Sequence, residues 1–370
     1  MYLQNLKLAY FKNYPEVEFN FSGKINCFIG DNGAGKTNIL DAIYYLSFCK
    51  SYFNSVDSQN IKHEEDFFSI HGKYLVNGNT GDEVSCIQKR NHKKKFIQND
   101  KEYDRLSDHI GKYPLVMISP YDRDLINEGS ETRRKYIDAV ISQFDKFYLD
   151  DLIQYNKALL QRNNLLKHFS EKHYFDNATL EIWDQQLIKY GEKIHSTRKE
   201  FISEFVPLFG EYFKFISNAK ELVDIEYESQ LNDRSLEELL ATSVEKDRAI
   251  RYTSNGIHKD DLLLRIENFP VKKFGSQGQQ KSYVIAIKLA QFEYTKKIKG
   301  YKPILLLDDI FDKLDDNRVK QIIHLVSDNS FGQVFITDTQ QERIEKIFKQ
   351  VDIDHKIFLI SNAESTELSA

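Results

Sequence analysis

The sequence predicts an α/β protein with a mainly helical second lobe inserted into it. Three observations lead there. The stretch "FIGDNGAGKTNIL", Phe28 to Leu40, passes from an apolar strand through a glycine-rich turn into a helix. From about Ser130 to Phe215 the chain has helical texture, broken only at Pro207. On either side of that region short apolar strands alternate with helical patterns.

Taken in order, Tyr2 to Ile29 reads as strands, with a break at Ser22-Gly23 before "KINCFI". "TNILDAIYYLSF" follows as a helix, with Ile39, Leu40, Ile43 and Leu46 at helical spacing. Phe68–Val76 and Val84–Ile97 read as strands around the turn composition of "VNGNTGDE", a hairpin. "PLVMIS", Pro114 to Ser119, is a short buried strand. After the helical lobe come a strand "ELVDIEYES", a helix "RSLEELLATSVEKDRAIRY" and a strand "DDLLLRIEN". A helix from Gly278, the strand "PILLLDD", a helix over Asn317 to Ser327, the strand "QVFIT", a helix and the strand "HKIFLIS" complete the order. The tail "NAESTELSA" is expected to be loose. The expected division is 1–125, 126–220 for the helical lobe, and 221–370.

The 370 residues are 41% hydrophobic and 13% aromatic, enough for a substantial core and against disorder. Their net charge of −5 points away from a uniformly basic nucleic-acid binder, so any such surface must be local. The N-terminus lacks the pattern of a signal peptide, and no apolar run approaches a membrane span. Cys27, Cys49 and Cys86 form no paired spacing, which suits a reducing compartment without a disulfide frame or zinc site. The expectation is a soluble, cytoplasmic protein.

Gly30-Asp31-Asn32-Gly33-Ala34-Gly35-Lys36-Thr37 is a full G-x-x-x-x-G-K-[ST] motif between a strand and a helix. Glycines let the backbone turn its N–H groups toward phosphates, Lys36 reaches the β and γ phosphates, and the Thr37 hydroxyl suits Mg²⁺. Asn38 opens the helix beside them. The apolar strand ending in Asp308-Asp309 resembles a Walker B element, with Asp308 on the Mg²⁺ side and Asp309 placed to orient an attacking water. Solvated acids at the end of a buried strand are the plain alternative.

"FGSQGQQKSYVIAIKLAQ" decides among P-loop classes. Taken alone, Ser276-Gln277-Gly278-Gln279 is only a polar helix start. It lies about one helix upstream of the Walker B strand, as the signature motif of ABC-type ATPases does, and "DKLDDNR" after Asp309 resembles their D-loop. In that class the signature touches a γ-phosphate held by another subunit. With "LKLAYFKNYPEVEFNF", "ISPYDRDLINEGSETRRKYID", "YNKALLQRNNLL" and "HKDDLLLRI" in order along almost the whole chain, the sequence resembles the RecF family of bacterial recombination-mediator ATPases, related to the heads of SMC and Rad50 proteins. The resemblance implies an ABC/SMC/Rad50-type P-loop ATPase head with ATP and Mg²⁺ as cofactors. It further implies an ATP-dependent homodimer, binding to duplex or gapped DNA without sequence specificity, and slow hydrolysis. RecR and RecO mediators are the implied partners, with RecA loaded indirectly. Asp41 stands where that family carries a glutamate, Asp338 where ABC proteins often carry a histidine, and Ser119 to Asp122 where they carry a glutamine loop.

The densest basic run is Lys89, Arg90, His92, Lys93, Lys94 and Lys95. A solvated hairpin and contact with a DNA backbone through Lys93, Lys94 and Lys95 are both open on the residues alone. Arg133, Arg134 and Lys135 are a second candidate, which could equally brace the helical lobe. His258 reads as structural. The rival functions are a Rad50- or SMC-like DNA tether and the ATPase subunit of a transporter. Only about 240 residues, broken at Pro207, separate loop from signature, too few for coiled-coil arms plus two half-heads.

Overall fold

The computed structural model describes residues 1–76, 80–217, 221–311, 321, 330–348 and 353–368. The D-loop resemblance at Asp312–Arg318, most of the helix expected over Asn317–Ser327 and part of the turn after Val76 lie outside them. The chain divides into two compact units, Met1–Asp122 with Phe215–Asn218 and Ile285–Ala370, and Arg123–Lys214 with Ala219–Val284. Residues 221–284, grouped by sequence with the C-terminal part of the ATPase lobe, thus cluster with the helical segment.

In the first unit the strands are β1 (Tyr2–Phe11), β2 (Tyr14–Asn20), β3 (Ile25–Ile29), β4 (Phe67–Val76), β5 (Thr80–Lys89), β6 (Lys95–Gln98), β7 (Lys101–Glu102) and β8 (Leu115–Ile118). Helix α1 (Lys36–Phe48) follows β3. Later strands of the unit are Ile304–Leu307, Val334–Asp338, His355–Ser361 and Glu364–Leu368. One sheet runs in the order Glu364–Leu368, His355–Ser361, β3, Val334–Asp338, Ile304–Leu307, β8, and is parallel except at its first pair. Strands β3, Ile304–Leu307 and β8 are buried at every position, the continuous apolar reading of a strand covered on both faces. Their register aligns Leu307 with Ile118 and Ile336, and Asp338 with Ile29. The carboxyl ends of the five parallel strands therefore open on one edge, where α/β sheets place ligands.

A second, antiparallel sheet runs β2-β1-β4-β5-β6-β7. The strand expected over Val84–Ile97 is two strands, because the chain turns through the lysine-rich segment between Lys89 and Lys95. Side chains of both sheets and of α1 share one core. Phe21 meets Phe335 edge-on, while Phe28 stacks against Phe335 and Phe358. The tail expected to be loose forms strand Glu364–Leu368, paired antiparallel with His355–Ser361 through a turn in which Asn362 and Ala363 both have positive φ. Backbone pairing outweighs the polar composition that suggested a loose end.

In the second unit, α2 (Asp124–Asn127), α3 (Ser130–Ser142), α4 (Lys146–Lys172), α5 (Asn177–Ser217) and α6 (Leu236–Ile250) precede α7 (Val271–Phe274) and α8 (Gln277–Lys299), the last continuing into the first unit as α5 also does. Pro207 does not break the helical run; it lies inside α5. The breaks fall elsewhere. The Asp145 side chain accepts from the Tyr148 N–H to start α4, and His173, left-handed at φ 52, ends it. Val223–Glu228, Asp261–Ile266 and Phe269–Pro270 form a small antiparallel sheet.

Two buried arginines organise this unit. Arg162 donates to Asp184 at 2.5 Å and to Asp247 at 2.7 Å. Arg198 donates to Asp138 and Asp260, both at 2.8 Å, and to the Ile257 carbonyl at 3.0 Å. Removing one partner of such a pair leaves a buried charge uncompensated. Arg162→Met is therefore expected to destabilise the unit by about 3–5 kcal/mol. Trp183, the single tryptophan, adjoins Asp184 in α5 and reports urea unfolding there; a parental midpoint would refute the assignment.

Candidate nucleotide-binding site

The phosphate-loop motif occupies the turn between β3 and α1. Gly30, Gly33 and Gly35 have φ of 157°, 83° and 113°. Gly30 has no room for a side chain, since a Cβ there would lie 2.2 Å from the Ile360 carbonyl oxygen. The Lys36 ammonium folds back on the loop, donating to the Gly30 carbonyl at 2.7 Å and to that of Asp31 at 2.8 Å. Burial lowers its pKa, while Asp309, Asp308, Asp31 and Asp338 pull it upward. Gly30 to Asn38 thus stand together, but Asn38 turns its amide to the Asn13 side chain at 2.7 Å. Asn13 also donates to the Ala34 carbonyl at 3.2 Å. No sequence signal marked Asn13, because asparagine is an ordinary turn residue.

The Thr37 hydroxyl donates to Asp308 Oδ1 at 2.8 Å. The Thr337 hydroxyl donates to the same oxygen at 2.9 Å and itself accepts from the Asp309 N–H at 2.9 Å. Asp309 adopts φ 46°, a left-handed conformation that aspartate tolerates, and so leaves the strand direction just after Asp308. Burial raises the Asp308 pKa, and its two hydroxyl donors oppose the rise. Hard oxygens of Thr37 and Asp308 at this spacing fit Mg²⁺, which takes few protein ligands and completes its shell with phosphates and water. Sequence reasoning missed Thr337, whose hydroxyl follows three apolar residues of the buried strand Val334–Asp338.

The neighbouring acids are already engaged. Asp41 is fully buried, pairs with Lys12 at 2.6 Å and accepts from Ser51 and the Tyr52 N–H. Asp338 accepts from Arg343 through both oxygens. Asp122 pairs with Lys288 at 2.7 Å and accepts from the Ser119 N–H and the Tyr52 hydroxyl.

In the second unit Ser276 and Gln279 form a reciprocal cap at the start of α8. The Gln279 N–H donates to Ser276 Oγ at 3.2 Å, and the Ser276 N–H donates to Gln279 Oε1 at 2.7 Å. Ser276 and Gln277 are exposed and Gly278 is half-buried, so this helix start is open to solvent. His258 is half-buried; its Nε2–H donates to the Thr253 carbonyl and its Nδ1 accepts from Tyr155. Burial lowers its pKa to about 4, so it is neutral, as a structural role requires. Arg133 is clasped by Asp261 at 2.6 Å, and Arg134 donates to the Asp260 carbonyl at 2.6 Å. Only Lys135 of that trio is exposed, beside Glu131.

The basic run divides in the same way. Lys93 and Lys95 are exposed, the latter 3.7 Å from Glu102. Lys94 is only 10% exposed; it pairs with Asp57 at 2.7 Å and lies over the Tyr45 ring. Lys94 is therefore a bracing residue of the hairpin, and the expectation of three aligned lysines reduces to two.

Because the Asp308 pKa is raised on folding, its contribution to stability is fully present below the ordinary carboxylate pKa and is lost as pH rises through the folded value. At neutral pH its charge opposes folding. Asp308→Asn keeps an Oδ1 acceptor for both threonines. It is expected to raise the melting temperature of the nucleotide-free protein at pH 7–8, with the gain shrinking toward acid. A lowered melting temperature would contradict this burial argument.

Comparison with known proteins follows the same lines. The model of the RecF/RecN/SMC N terminal domain matches residues 2–360. The DNA replication and repair protein RecF of Flavobacterium johnsoniae is 54% identical over 358 residues, 97% of this chain and 99% of that one. Its namesake in Phocaeicola vulgatus is 50% identical over 368 residues, covering 99% and 98%. A solved structure of the recombination mediator protein RecF with ATP, in the RecFOR pathway, matches with a TM-score of 0.90 at 31% identity, over 100% of this chain and 98% of that one. The Smc head domain of Pyrococcus furiosus, bound to the C-terminal domain of ScpA, matches at a TM-score of 0.57 and 17% identity over 100% and 96%, a likeness of fold alone. Among the described residues no helix is long and apolar enough to cross a membrane. With sequence likeness running from end to end and an ABC/SMC-type ATPase head as its fold, the chain belongs to the RecF family of DNA replication and repair proteins.

Proposed function

We propose that the chain is an ATP-dependent DNA-binding protein of repair and replication. Two copies sandwich two ATP–Mg²⁺ between the phosphate loop of one and the Ser276–Gln279 segment of the other. The closed pair holds duplex or gapped DNA without reading its sequence, and slow hydrolysis releases it. RecR and RecO are the proposed partners, through which RecA is loaded on single-stranded gaps. The nucleotide lobe is proposed to draw on 1–125 and 221–370, with 126–220 as the helical lobe.

The observation that carries this reading is the Thr37–Asp308 contact at the mouth of the glycine loop. It supports a Mg²⁺–triphosphate ligand, because Mg²⁺ would exchange a hydroxyl–carboxylate bond for two oxygen ligands already in place. Lys36 would leave the Gly30 and Asp31 carbonyls for the terminal phosphates. Asp309, turned out of the strand beside them, would orient the attacking water. The ATP-bound relative supports the choice of nucleotide. The solvent-exposed cap at Ser276 supports a role in trans, since an anion could replace the two side-chain acceptors that now hold its N–H groups.

Subunit mixing tests the sandwich. Ser276→Arg is expected to bind ATP as a monomer with near-parental affinity, yet fail to dimerise with a non-hydrolysable analogue. Lys36→Ala is expected to lose most ATP binding. A mixed dimer holds one intact composite site, so turnover absent from either variant alone should partly return. If Ser276→Arg dimerises as the parent does, the sandwich is wrong.

The DNA contact is tested by salt dependence. Lys93→Glu with Lys95→Glu should weaken binding evenly across sequences and flatten log affinity against log salt by roughly 0.9 per lost phosphate contact. Lys94→Glu should instead lower the melting temperature, since it reverses the inner partner of Asp57. An unchanged slope in the double variant would leave the run as a solvated hairpin.

A further inference from the structure

We infer that Asn13, in the turn between β1 and β2, is a positioning residue that sets the direction of a phosphate-binding N–H in the loop. The inference rests on the nucleotide reading above. Its first support is the seat itself. The turn is tied down on both sides: the Lys12 N–H donates to the Asn60 carbonyl at 2.8 Å, and the Lys12 ammonium reaches buried Asp41 at 2.6 Å. Asn13 then spans the loop, donating to the Ala34 carbonyl at 3.2 Å and accepting from Asn38 at 2.7 Å. This amide orientation follows from chemistry, because a carbonyl oxygen only accepts and so must face the NH₂ group.

The second support is peptide geometry. The chain has no cis bond among its described residues, so the Ala34 carbonyl and the Gly35 N–H point in opposite directions across one rigid plane. Holding the carbonyl on Asn13 therefore turns the Gly35 N–H away from the turn, to the side on which the inference places the phosphates. A third observation shows how closely the parts fit. Gly35 sits at φ 113°, and a Cβ there would lie 2.5 Å from Asn13 Nδ2 and 2.9 Å from the Tyr14 hydroxyl. Tyr14 is fully buried, and its hydroxyl has no hydrogen-bond partner among the described residues. Loop and turn are packed face to face, so the donor direction is set before any ligand arrives.

Two substitutions separate this role from simple packing. Asn13→Ala removes both contacts. Asn13→Asp keeps an acceptor for Asn38, replaces the donation to Ala34 by an acceptor–acceptor contact and adds a negative charge beside the loop. Both are expected to raise the dissociation constant of a fluorescent ATP analogue with Mg²⁺ about tenfold, the effect of one misdirected hydrogen bond. The KM for ATP should rise with it, while turnover at saturation stays within about twofold, because bound phosphate restores the loop. Melting temperature without nucleotide should change little, and the shift produced by ATP should shrink. Parental affinity in Asn13→Asp would overturn the inference, as would a melting temperature lowered equally with and without nucleotide. Lys36→Ala run in parallel distinguishes the two levels. If it too binds ATP as the parent does, the nucleotide reading fails; if it alone loses binding, only the role of Asn13 does.

Discussion

The carboxylate of Asp308 is the point on which this site turns. Thr37 from the phosphate loop and Thr337 from the neighbouring strand both donate to its Oδ1, and the Asp309 N–H reaches Thr337 in turn. Three segments far apart in sequence are joined through one buried oxygen. A carboxylate taken out of water is unfavourable, and burial raises its pKa accordingly. Such a group persists in a core where function needs it, and here it sits at the edge where the five parallel strands end. The parallel register delivers it: Leu307 lies level with Ile118 and Ile336, so the residues after each strand share one edge. The sheet supplies position, the threonines supply orientation, and the surrounding aromatic core supplies rigidity.

How much of this was legible in the sequence depended on whether the signal was local. The phosphate loop was legible because its glycines, lysine and threonine are consecutive, and strand-loop-helix periodicity surrounds them. The strand Ile304–Leu307 was legible because four apolar residues end in two acids. Thr337 was not, since one hydroxyl in an apolar run is more often a neutral core substitution. Asn13 was not, because its importance arises only when the turn closes on Ala34. The final strand was missed for a related reason: its polar composition suits a loose tail, and only pairing with His355–Ser361 orders it. Pro207 was misread through local propensity alone; α5 carries it within its length.

Charge was the least legible property. A run of lysines looks uniform in one dimension, yet the hairpin sends Lys93 and Lys95 outward and folds Lys94 onto Asp57 and Tyr45. Arg133 and Arg134 could be read either way from the sequence and are engaged within the fold, while Arg162 and Arg198 carried no mark at all and are buried. Long cationic side chains can satisfy a core or a solvent face, and sequence spacing does not say which. Counts of basic residues therefore overstate the surface this chain offers to a polyanion, the more so with an overall charge of −5.

The same logic bears on why a glycine loop is built against an antiparallel sheet. A phosphate loop gains affinity when its N–H groups already point at the ligand, because ordering them at binding would subtract conformational entropy from the interaction. Glycines make the turn possible but also make it soft, so something outside the loop must hold it. In this chain the β1–β2 turn does so, with Lys12 anchored on Asp41 in α1 and Asn13 on Ala34 and Asn38. Lys36 completes the arrangement from within, by occupying the Gly30 and Asp31 carbonyls. Flexibility in the loop and rigidity around it are two halves of one requirement, and the antiparallel sheet, remote from the phosphate motif in sequence pattern, is where the rigid half is built.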